Sequence, residues 1–141
     1  MPILQSGARF AVRRMPKVIT PRVHAVLDYA VAGTFLLMGA MMWKRHKRAA
    51  LASFTCGAAT AINSMVTDYP GGVVPAIDYD THGQLDAGIA ALTAAAPRFL
   101  GFSDEDEARF FSGCALAETV ITGLTDYGYD ADDERSMEEA G

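Results

Sequence analysis

Two stretches of this chain match each other at one fixed spacing. His24, Leu27 and Asp28 recur 58 positions later as His82, Leu85 and Asp86. The same shift carries Cys56 to Cys114, and Thr67-Asp68-Tyr69 to Thr125-Asp126-Tyr127. No gap is needed anywhere along the match. A constant shift that keeps rare polar residues in register points to an internal duplication, which restricts the fold to two copies of one unit packed together.

Each unit reads as two helices. Residues 25 to 43 are apolar except for Asp28 and would span about 28 Å as a helix, close to the thickness of a hydrocarbon core. Trp43 and the basic run Lys44-Arg45-His46-Lys47-Arg48 follow at once and mark a turn. The second segment, Ala49 to Val66, is rich in Ala, Ser, Thr and Gly, as suits close helix packing. It stops at Thr67-Asp68-Tyr69-Pro70-Gly71-Gly72. The third runs from about Thr81, read as its N-cap, to Phe102, with Pro97 kinking or ending it. Ser103 is expected to cap the fourth, which runs to about Leu124. The expected organisation is a basic arm (1–20), a helical hairpin (21–69), a connection (70–80), a second hairpin (81–127) and an acidic tail (128–141).

The expected fold is therefore all-α, a four-helix transmembrane bundle of two tandem hairpin repeats. Its rival is a soluble four-helix bundle, supported by the Ala-rich second and third segments. Against that rival, the first helix is apolar almost all round, whereas a soluble surface helix carries a polar face. The arm before Asp28 holds no acidic residue and alternates Phe10, Val12 and Val18 with arginines. It reads as an interfacial helix on anionic lipid or as a disordered arm, rather than as a cleaved targeting segment. Lys and Arg are balanced between the two ends of the bundle, so they do not orient it. Only 12 residues are basic, and most of them are split between the arm and one short loop, which argues against a nucleic-acid surface. The two cysteines form neither a disulfide framework nor a metal knuckle.

The polar residues gather at one end. His24 and Asp28 share a helix face, as do His82 and Asp86. Asp68 and Asp126 end the antiparallel partner helices and return to the same side. Three readings compete for these six residues. They form a hydrogen-bonded network that locks the helix ends. They hold a metal ion, in kind like the carboxylate-rich centres of four-helix proteins though without the Glu-x-x-His spacing, or, as a variant, a haem clamped between His24 and His82. Or they begin a proton path with Glu118 as a deeper rung.

The pattern His82-Gly83-Gln84-Leu85-Asp86, an apolar helix, Pro97-Arg98-Phe99-Leu100-Gly101-Phe102, and a second helix ending at Thr125-Asp126-Tyr127 resembles the SPW-repeat family of small bacterial membrane proteins. The resemblance covers residues 20 to 127. The family's Ser-Pro-Trp reads Ala96-Pro97-Arg98 here, and Gly39-Ala40-Met41 in the first repeat. The resemblance implies a multi-pass protein of the bacterial inner membrane with two repeats of two helices, and it supplies no catalytic residues.

With no nucleophile–base pair and no phosphate loop, the expected function is non-enzymatic: an accessory or scaffold subunit of a membrane complex, in contact with lipid and with other subunits or itself. The alternative is a membrane protein whose His/Asp site binds metal or haem, or relays protons.

Overall fold

The computed structural model describes residues 15 to 128. Among the described residues it contains four helices and no strands: α1 (Pro21–Met42), α2 (Lys47–Met65), α3 (Tyr79–Phe99) and α4 (Glu107–Leu124). The basic arm up to residue 14 and the acidic tail from residue 129 lie outside the described residues.

Local chemistry sets the helix ends. Thr20 caps α1 by accepting from the Val23 amide, and Pro21 follows where its missing N–H costs nothing. His46 caps α2 through Nδ1, which accepts from the Ala49 amide at 3.1 Å. The cap of α3 is Asp78, which accepts from Thr81 N at 2.7 Å, so the helix starts earlier than the expected Thr81 cap. Pro97 sits in the last turn of α3 without ending it, and the helix stops at Phe99. Gly101, at φ 69°, then supplies the left-handed residue that turns the chain. α4 begins at Glu107 after Asp106, which makes no side-chain cap, rather than after Ser103. Phe102 instead packs at 5.4 Å from Phe111, which places the loop against the bundle before α4 can start.

The interior divides into two halves. Toward the α1–α2 and α3–α4 turns it is apolar: Phe35, Met42, Ala50, Cys56, Phe102 and Phe111 pack together, with Gly57 letting α2 lie close on Phe35. Toward the opposite end the buried side chains are polar: His24, Asp28, Asn63, Ser64, Thr67, His82, Asp86 and Thr125. Two backbone clasps close that end. The Asp68 amide donates to Ile77 O at 2.8 Å, and Ile77 N to Val66 O at 3.0 Å. The Asp126 amide donates to Ile19 O at 3.2 Å, and Ile19 N to Leu124 O at 3.0 Å. Every residue number in the first clasp differs from its counterpart in the second by 58. Thus the tail of each hairpin is tied to the head of the other.

The outer surface of the helices carries many apolar side chains. Leu36, Leu37, Met41, Leu51, Ile62, Leu92, Leu116 and Val120 all face outward. Among the described residues, the exposed charges of the helices are Arg22, Lys47, Arg48, Arg98 and Arg109, each in a first or last turn. By length and composition one helix, α1, is long and apolar enough to cross a membrane.

Candidate metal centre

α1 and α3 each bring a histidine in their first turn and an aspartate one turn later. The four side chains converge. His24 Nε2 lies 3.1 Å from His82 Nε2. Asp28 straddles the pair, with Oδ1 at 3.2 Å from His24 Nε2 and Oδ2 at 3.2 Å from His82 Nε2. Asp86 sets one oxygen, Oδ2, at 3.0 Å from both nitrogens. Both histidines are wholly buried, and Asp28 and Asp86 are nearly so.

The protons can be placed from the threonines. Thr67 Oγ1 donates its only proton to Asn63 O at 2.5 Å, and Thr125 Oγ1 donates to Ile121 O at 2.6 Å. Each hydroxyl oxygen also lies 2.8 Å from a histidine Nδ1: Thr67 from His82 and Thr125 from His24. With its proton already committed, each hydroxyl must accept there, so both Nδ1 atoms carry hydrogen. A neutral imidazole then has its lone pair on Nε2. Two Nε2 lone pairs and two carboxylates therefore point at one spot.

The surroundings hold the carboxylates in place. Ser64 Oγ and Tyr69 OH donate to Asp28 Oδ2 at 2.8 and 3.1 Å. Asn63 Nδ2 donates to Asp86 Oδ1 at 2.9 Å, and Tyr127 OH to Asp86 Oδ2 at 3.3 Å. Burial raises Tyr69 and Tyr127 above the ordinary phenol range, so both hydroxyls stay protonated donors. Tyr79 stacks on Tyr69 at 5.4 Å and packs at 4.8 Å from Tyr127, covering the end of the site.

Of the six residues expected at this end, the structure brings together His24, Asp28, His82 and Asp86. Asp68 and Asp126 lie outside the group, exposed. The reason is local. Where the chain leaves α2 it bends, the Tyr69 amide donating to Thr67 O at 3.0 Å, and where it leaves α4 Thr125 is extended. Thr67 and Tyr69 turn inward and Asp68 outward, and Thr125, Tyr127 and Asp126 repeat the arrangement. Sequence reasoning missed Asn63, Ser64 and the two threonines as partners. The signal was the run of small polar residues Ser53, Thr60, Asn63 and Ser64 in α2, continued by Thr67 just past its end.

Haem does not fit this geometry. A porphyrin would have to pass between two nitrogens 3.1 Å apart with a carboxylate spanning them. Glu118 lies one layer deeper, buried, beside a small cavity whose wall includes Asp28 and Asp86. A second cluster, His46 with Glu105 and Glu107, is of another kind. His46 Nδ1 accepts a backbone proton as the α2 cap, so Nε2 is the protonated nitrogen and donates to Glu105 at 2.7 Å. That contact ties the two hairpin turns together at the surface.

In the His24/His82 centre, donors arranged tetrahedrally around an ion at about 2.0 Å stand about 3.3 Å apart. The separations that link the two Nε2 atoms to each other, to Asp86 Oδ2 and to one or other Asp28 oxygen are 3.0 to 3.2 Å, and one donor atom from each of the four residues lies within 4.8 Å of the rest. Each ligand candidate also carries an outer partner, as metal ligands do. No family model, no curated protein and no solved structure matches the chain.

Proposed function

We propose that this chain is a small integral membrane protein whose two hairpins are pinned by one divalent transition metal ion, held by His24, Asp28, His82 and Asp86. The observation that carries the reading is the convergence of two Nε2 atoms and two carboxylates. Such a centre requires positive charge. Two imidazolium protons would face each other across 3.1 Å, and a single proton would leave a buried net negative charge. One divalent ion satisfies all four groups and leaves the centre neutral. The nitrogen and oxygen donors in a tetrahedral arrangement favour zinc.

A four-ligand site, buried and covered by tyrosines, is of the closed kind that holds structure rather than the open kind that activates water. The protein is thus a metal-stabilised scaffold or accessory subunit and not a metalloenzyme. The bundle's outer surface, apolar and without exposed charge except in terminal turns, supports placement across a bilayer. The paired clasps and paired ligands at a shift of 58 support a duplicated hairpin.

The test is elemental analysis of detergent-purified protein beside the His24→Ala/His82→Ala double variant. One equivalent of zinc or a related ion, absent from the variant, is expected. A folded wild type without stoichiometric metal would sink the reading. Fractionation tests the membrane placement: the protein should stay with membranes through an alkaline wash, and recovery in the detergent-free supernatant would refute it.

A further inference from the structure

Beneath the centre lies a cavity of about 20 Å³, lined by Asp28, Asp86, Thr60 and Glu118 and by aliphatic side chains including Val31 and Ile89. Its volume suits one water-sized guest. Glu118 is 9 % exposed, and neither of its carboxylate oxygens has a hydrogen-bond partner. A carboxyl group buried in this way must be neutralised, by a proton or by a cation bound beside it. Thr60 Oγ1 donates to Cys56 O at 3.0 Å, which leaves its lone pairs free for a guest. Thr60 and Glu118 occupy equivalent positions at the shift of 58, so the two halves differ here by one carboxylate.

We propose that this cavity is a second cation site, taking one small monovalent ion such as Na⁺, with Glu118 as its charged ligand and Thr60 and the adjoining aspartates as oxygen neighbours. The class of ion follows from the donors and the charge. The polar groups of the wall are all oxygen, which selects a hard cation. The His/Asp centre is neutral when it holds a divalent ion, a count that rests on the function proposed above. Glu118 then contributes a single uncompensated negative charge. The guest must also arrive nearly stripped of water, because the space admits little beyond the ion itself.

The experiment uses the full chain, metal-loaded and in detergent. Thermal unfolding is compared in sodium chloride and in choline chloride at equal ionic strength, for wild type and Glu118→Gln. Wild type should melt higher in sodium by about 3 °C or more, and the variant should lose that difference. Equal melting of wild type in both salts overturns the proposal. The divalent metal content is measured on the same samples. Its loss from wild type would count against the His/Asp reading, whereas its retention without a sodium effect would count against the second site alone. If Glu118→Gln does not fold, infrared spectra of wild type decide. A carboxylic acid stretch that appears only when choline replaces sodium supports the site. The same stretch in both salts means that a proton neutralises Glu118, and the proposal falls.

Discussion

Thr125→Val removes one hydroxyl and keeps the shape of the side chain. In the wild type that hydroxyl accepts from His24 Nδ1–H at 2.8 Å, in a place with no exposure to solvent. The variant leaves a buried N–H without a partner, which costs about 1–3 kcal/mol. Loss of an outer partner of a metal-bound histidine lowers metal affinity by about 10- to 100-fold, or about 1.4–2.8 kcal/mol. The two ranges overlap because they describe one event, the release of the imidazole from its fixed tautomer and orientation. The assay is competition with a coloured chelator in detergent at fixed pH, run on wild type, Thr125→Val and Thr125→Ser. Serine keeps the accepting oxygen and should stay near wild type, whereas valine should fall by at least tenfold. Thr67→Val should fall by a similar factor, since Thr67 makes the same 2.8 Å contact with His82. Valine variants that bind within twofold of wild type would refute the proton placement, and with it the argument that both lone pairs face the centre.

Acid should empty the site. Ligation needs both imidazoles in their neutral form, so the unbound protein holds more protons and binding weakens as pH falls. While the free imidazoles are protonated, each further pH unit downward should cost up to about tenfold per histidine, or about a hundredfold for the pair. Affinity that stays flat between pH 7 and pH 5 would mean that Nε2 is not a ligand. A different prediction concerns packing. Gly57→Ala places a methyl 2.9 Å from Phe35 Cβ and 3.1 Å from Ala32 O, and should lose about 1–3 kcal/mol in denaturant titration while metal content is unchanged. Gly88→Ala adds its methyl to open space in α3 and should be neutral or gain up to about 1 kcal/mol.

Much of this arrangement was legible in the chain itself. The shift of 58 paired His24 with His82 and Asp28 with Asp86, and helical spacing put each pair on one face. What misled was formal charge. In Thr67-Asp68-Tyr69 and its copy the aspartate looks like the functional residue, yet the chain leaving each helix turns the two outer residues inward and leaves the middle one exposed. The useful groups were a hydroxyl and a phenol, which composition does not single out. Cap positions were misread for a related reason. Thr81 and Ser103 are good N-cap types, but Asp78 reaches the free amides of α3 first, and the packed Phe102 delays the start of α4. The cavity beside Glu118 could not be read from sequence at all, because an empty space has no residue of its own.

The two backbone clasps join head to tail, Ile19 to Thr125 and Thr67 to Ile77, and the ligand set is divided just as evenly, two from α1 and two from α3. Neither hairpin owns a complete coordination shell. An ion caught by one half has only two donors until the other half docks, and covalent linkage makes that docking an intramolecular event at high effective concentration. In the proposed metal-bound form the ion would act like a rivet set only after both plates are aligned: its occupancy would report that the hairpins have assembled, and a hairpin severed from its twin would have to recover the missing donors from a second molecule.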